Sequence, residues 1–109
     1  MEQILKSGKA KAIGVSNYPA NILREMTTYA SVMPAVNQIE FTTNKQQPAV
    51  LKAAKELGVL ITGYSTNRSI LYHGEASVLG EIAKKDGRTP SQVALKWANQ
   101  RGVVAICGA

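Results

Sequence analysis

Ala12-Ile13-Gly14-Val15-Ser16-Asn17-Tyr18-Pro19 is the stretch whose reading decides the fold. Ala12 to Val15 has the length and apolar composition of a strand. A hydroxyl, an amide and an aromatic ring follow, and Pro19 then suits the first turn of a helix, where its missing N–H costs nothing. Beyond it Ile22, Leu23, Met26, Tyr29 and Ala30 fall on one apolar face, which predicts a helix over 19–31.

The same succession repeats outward. Ala35-Val36-Asn37-Gln38-Ile39, Val59-Leu60-Ile61-Thr62 and Val103-Val104-Ala105-Ile106 read as three further strands. Val50, Leu51, Ala54 and Leu57 mark a helix over 47–57, with Pro48 in its first turn and Gly58 as its stop. Val78, Leu79, Ile82 and Ala83 mark another, ending near Gly87. Thr89 as N-cap, Pro90 at N1 and Gln92 at N3 then predict a capping box. Val93, Ala94, Trp97 and Ala98 form that last helix's buried face, and Gly102 ends it. A helical stub over 1–8 precedes the first strand. The order β-α-β-α-β-α-α-β implies right-handed crossovers and a parallel α/β sheet of four βα units. Near-continuous apolarity predicts strands covered on both faces.

A chain of 109 residues holds one domain at most. With 45% hydrophobic and 18% charged residues it is a folding sequence and not a disordered one. Thirteen Lys+Arg against seven Asp+Glu give +6, but the basic residues are scattered from Lys6 to Arg101 and aromatics are only 6%. A nucleic-acid module shows a clustered basic patch, so these charges read as solvated helix faces and nucleic acid is not expected. A small anionic ligand such as a nucleotide is compatible with the excess. The one cysteine, Cys107, leaves no internal disulfide and fits a reducing, cytoplasmic setting. No apolar run is long enough for a membrane span or a signal peptide.

In parallel α/β sheets ligands bind beyond the C-terminal ends of the strands. The first strand ends in Ser16-Asn17. The second carries Asn37-Gln38 and Glu40. The third ends in Tyr64-Ser65-Thr66-Asn67, and the fourth in Cys107-Gly108-Ala109. Amides donate and accept, which matches a carboxamide in both directions, and a tyrosine ring offers a face for stacking. Such residues suit a planar heterocycle bearing an amide, and they are poor acid–base catalysts. Each taken singly also reads as a turn former or a buried structural amide.

These residues carry a family resemblance. Gly8-Lys9 with Ala12-Ile13-Gly14-Val15-Ser16-Asn17-Tyr18 resembles the aldo-keto reductase segment G-K-x-x-A-I-G-V-S-N-F. Pro34-Ala35-Val36-Asn37-Gln38-Ile39-Glu40 resembles its P-x-V-N-Q-x-E strand, and Thr89 to Trp97 resembles T-P-A-Q-V-A-L-R-W. The resemblance implies part of a (β/α)8 barrel, a half barrel made of strands five to eight, with residues 1–109 as the C-terminal half of an NADP-dependent oxidoreductase domain. It implies that Ser16, Asn17 and Gln38 hold the nicotinamide carboxamide of NADPH, that Tyr64 stacks on the nicotinamide ring, and that Ser65 lies near the pyrophosphate. No residue is assigned to catalysis or to metal binding, because the family's catalytic Asp, Tyr, Lys and His come from its first four strands. The expectation is a chain inactive alone. A non-catalytic nucleotide-binding or assembly module is the alternative, pairing through open sheet edges as a homodimer or with a separate N-terminal half. Met1 falls where family members carry an internal M-E-x-L.

The sequence departs from the family at three strand ends. Phe41-Thr42-Thr43 stands for aromatic-His-Pro, Thr66 for Pro after Tyr64-Ser65, and Cys107 for Pro after Ile106. Tyr72-His73 offers a proton donor by composition alone and reads as an exposed loop pair. Cys107 reads as a small buried apolar residue, Trp97 as core, and Glu40 as a barrel-mouth charge or half of an ion pair.

Overall fold

The computed structural model describes residues 1–68 and 78–107. Its elements follow the expected order: α1 (Glu2–Lys6), β1 (Gly14–Ser16), α2 (Ala20–Met26), β2 (Val36–Glu40), α3 (Pro48–Leu57), β3 (Leu60–Tyr64), α4 (Val78–Asp86), α5 (Pro90–Gln100) and β4 (Val104–Ala105). The strands form one sheet in the order β1-β2-β3-β4. β1 and β2 are parallel, with Gly14 opposite Val36, Val15 opposite Asn37 and Ser16 opposite Gln38. Among the described residues no helix is long and apolar enough to cross a membrane. The chain divides into two units, Met1–Ile39 with Gln47–Thr62, and Glu40–Gln46 with Gly63–Ala109.

In the first unit α2 and α3 pack together and bury Leu23, Met26, Val50, Ala53 and Ala54, along with Ile39, Val59 and Ile61 from the strands. α3 stops at Gly58, whose φ of +70° costs a glycine little; its N–H and that of Val59 both close on the Ala54 carbonyl. α2 is shorter than its apolar spacing predicts. The Thr27 and Thr28 hydroxyls bond back to the Arg24 and Glu25 carbonyls at 2.7 Å, and their N–H groups take the same i−3 acceptors. That local bonding competes with continued α-helix, so Tyr29 leaves the buried face and is 67% exposed. Pro19 is the extended N-cap rather than a helical residue.

In the second unit α4 packs on α5, and α5 on β4. The capping box forms as expected: Thr89 Oγ1 accepts from Gln92 N–H, and Gln92 Oε1 accepts from Thr89 N–H. Ala83, Ala94, Ala98 and Val103 are buried. Phe41 is fully buried and stacks on the half-buried Trp97 at 4.8 Å between centroids. Val78 and Ile82, expected on a buried face, are exposed.

Among the described residues one face of β2 and β3 is buried and the other is half-buried or exposed, where the sequence predicted cover on both. Side chains alternate across a strand: Ile61 is buried while Leu60 is 48% exposed, and the half-buried Ala105 lies between Val104 and Ile106, exposed by 51% and 44%. An apolar run cannot by itself report which face meets helices. Cys107 is exposed, not buried.

Candidate functional site

In the first unit the ends of β1 and β2 are tied by one acceptor. The Gln38 carbonyl accepts from Ser16 Oγ at 3.0 Å and from Asn17 N–H at 2.8 Å. Asn17 sits in the left-handed region at φ +58°, which asparagine tolerates better than most residues. One residue on, the chain is gripped again. Asn37 is fully buried, its Oδ1 accepting from Tyr18 N–H at 3.3 Å and its Nδ2 donating to the Tyr18 carbonyl at 2.9 Å. Parity explains the division of labour. Asn37 points into the packed face of β2 with Ile39, and Gln38 points to the opposite, half-open face. The bonds just described use only the Gln38 backbone, so its side-chain amide stands outside them. Ser16, Asn17 and Gln38, each expected at the site, are thus brought together within this unit.

In the second unit Tyr64 and Ser65 are neighbours at the end of β3. The Tyr64 carbonyl accepts Phe41 N–H at 3.1 Å, and Gly63 accepts Ile106 N–H at 2.7 Å. Gly63 is required there: a Cβ would lie 2.8 Å from Phe41 Cβ and 2.9 Å from Val103 Cγ1. Ser65 has φ +61°, and its carbonyl accepts Arg68 N–H at 2.8 Å, closing a turn over 65–68. Within that turn Thr66 is 0% exposed with Oγ1 unpartnered, and Asn67 Oδ1 is likewise buried and unpartnered. An unpaired buried polar group costs about 1–3 kcal/mol. Glu40 ends β2 and meets Lys45 at 3.2 Å across a turn closed by mutual Thr42–Lys45 backbone bonds. It is therefore half of an ion pair.

Asn37, Thr66 and Asn67 were expected among the strand-end polar residues, but not as a backbone clamp and a buried, unpartnered pair. The signal for Asn37 was present in the alternation of β2, since it shares parity with Ile39. Thr66 and Asn67 carry no local mark of burial. Tyr72-His73 and Gly108-Ala109 lie outside the described residues. In the first unit Thr62 Oγ1 is also buried without a partner.

In the first unit Gln38 carries both a donor and an acceptor, the donor set that suits a carboxamide. In the second unit Tyr64 offers a ring face, and the 65–68 turn holds buried unpaired polar atoms. The Glu2 carboxyl is held below the ordinary range by the Ser31 hydroxyl and by the Val32 and Ser31 N–H groups.

The chain is 34% identical over 121 residues to the NAD(P)H-dependent D-xylose reductase of Scheffersomyces stipitis, a match covering 97% of this chain. A probable NAD(P)H-dependent D-xylose reductase of Aspergillus terreus is 36% identical, again across 97% of the chain. The chain spans about 37% of the length of each of these relatives. Among solved structures, an aldo-keto reductase from a deep-sea metagenome superposes with a TM-score of 0.90 at 29% identity, over 99% of this chain and 40% of the other. An aldo-keto reductase complexed with NADPH superposes at 0.84 with 34% identity, over 99% and 36%. The four parallel βα units match part of the (β/α)8 barrel of these structures. Residues 1–76 match the aldo/keto reductase family, and the chain belongs to that family.

Proposed function

We infer that the chain is the cofactor-binding portion of an NAD(P)H-dependent carbonyl reductase, corresponding to strands five to eight of the barrel. The observation that carries this reading is the convergence of Ser16 Oγ and Asn17 N–H on the Gln38 carbonyl. It sets three polar side chains at adjoining parallel strand ends, where barrel folds hold their ligands. Ser16, Asn17 and Gln38 hold the nicotinamide carboxamide, Tyr64 stacks on the nicotinamide ring, and Ser65 lies by the pyrophosphate. The bound nucleotide supplies a hydride. None of the assigned residues delivers the proton that the developing alkoxide needs, so carbonyl reduction by this chain alone is negligible.

Titration with NADPH, followed by nicotinamide fluorescence, tests the reading. Saturable enhancement that is lost in Gln38→Ala and Tyr64→Ala is expected. No change up to millimolar cofactor overturns the site, and rapid reduction of a test aldehyde overturns the inactivity.

A second reading, a non-catalytic nucleotide-binding or assembly module, is favoured by the sheet order. β1 and β4 are its outer strands, and outer strands offer unpaired backbone groups to another chain. A second copy or a separate N-terminal half is the partner. A stable compact monomer in light scattering counts against this reading.

A further inference from the structure

We propose that the groove between α4 and α5 docks an acidic amphipathic helix of a partner protein. The starting observation is an apolar floor left open in the second unit. Ile82 from α4 and Val93 and Trp97 from α5 line one groove of about 820 Å3. Ile82 is 43% exposed, and Val78, one turn before it on the same face of α4, is exposed too. Val78 and Ile82 stand four residues apart, and so do Val93 and Trp97. Two such rows on adjoining helices form ridges between which a third helix packs. The lining on α5 runs from Gln92 to Gln100. At the helical rise that is a span of about 12 Å, so the occupant meets the groove over two turns. A small molecule fits less well. Small-molecule sites enclose about 70–90% of their ligand, and this groove has exposed residues on both walls.

Charge selects the partner. The walls carry Arg88 and Lys96 against Asp86. Among the described residues none of the three is in an ion pair, so Asp86 does not occupy either cation. Arg101 adds a third cation, its guanidinium 5.7 Å from the centre of the Trp97 ring. Arg88 precedes α5, Lys96 lies within it and Arg101 follows it, so an acidic helix laid along α5 meets positive charge over its whole length. A second copy of this chain does not supply the complement. None of the five described helices holds more acidic than basic residues, and the chain carries +6. Tryptophan and arginine are the side chains that most often anchor interfaces, and an amphipathic helix fills such a groove with its i, i+3, i+4 and i+7 residues. The proposal is independent of the cofactor reading and uses a surface other than the outer strands.

The test is titration of the full chain with a synthetic amphipathic helix peptide that has leucine at every third and fourth position and glutamate over the rest of its surface. The same peptide with lysine in place of glutamate is the control. Trp97, the one tryptophan of the chain, reports on the groove directly. A saturable blue shift of its emission is expected with the acidic peptide and none with the basic one, and the affinity falls as salt rises. Lys96→Glu is expected to weaken the acidic peptide about tenfold, and Ile82→Asp to abolish its binding. Both positions are exposed, and circular dichroism confirms that each variant is folded. Absence of binding at hundreds of micromolar acidic peptide overturns the proposal, as does equal binding of the two peptides or wild-type affinity in both folded variants. Self-association of the chain that shifts Trp97 emission and is lost in Ile82→Asp also overturns it, because the groove then belongs to a second copy.

Discussion

The buried carboxamide of Asn37 closes two reciprocal hydrogen bonds on the backbone of Tyr18, accepting at 3.3 Å and donating at 2.9 Å. This side chain from β2 thereby sets where the chain turns after β1, and so where Ser16 and Asn17 stand. Asn37→Ala leaves the Tyr18 N–H and carbonyl short of partners. A loss of about 1–3 kcal/mol is expected in urea unfolding, together with weaker NADPH binding. Unchanged stability sinks the clamp.

Gly63 has no room for a side chain, because a Cβ at this position would stand under 3.0 Å from both Phe41 Cβ and Val103 Cγ1. Gly63→Ala forces a buried aromatic and a strand-flanking valine apart, so overpacking of about 1–3 kcal/mol is expected. The stacked Phe41–Trp97 pair reports it, because indole emission shifts as Phe41 moves. A variant with native emission and native midpoint contradicts the steric account.

Thr89→Ala removes the hydroxyl half of the capping box that starts α5. The cost expected is about 1 kcal/mol, read as a lower thermal midpoint. Thr89→Ser keeps the acceptor and most of the stability. Loss in both variants alike indicates that the methyl, not the hydroxyl, matters.

Glu2 joins α1 to the 31–32 turn: its carboxylate accepts Ser31 N–H at 2.9 Å, the Ser31 hydroxyl at 2.7 Å and Val32 N–H at 3.2 Å. Those donors favour the charged form, so the folded carboxyl titrates below its unfolded value. The contribution is therefore complete above the ordinary glutamate value of about 4.3 and is lost as pH falls through the lowered folded value. Amide exchange at Ser31 and Val32 is expected to accelerate across that acid window in the wild-type chain. In Glu2→Gln it is already fast at neutral pH. Protection that ignores pH in the wild-type chain refutes the link.

The legibility of the sequence followed the range of the physics involved. The capping box at Thr89, the stop at Gly58 and the alternation of strands with helices all arise from groups a few residues apart, and they stand where the spacing puts them. Ser16, Asn17 and Gln38 were legible as strand-end polar residues, since parallel sheets put ligands there. The end of α2 was not legible in its apolar spacing, because two threonine hydroxyls outcompeted the next helical turn. Tyr29 went with it.

What the sequence determined by itself is the type and order of the elements and the residue types at the strand ends. Local propensity, capping and periodicity suffice for those. Only the tertiary structure decided which face of each strand is covered, that Asn37 is a clamp while its neighbour Gln38 faces the open side, and that Thr66 and Asn67 are enclosed without partners. Burial is set by what packs from elsewhere in the chain, and two adjacent amides of like composition are told apart only by the face on which that packing falls.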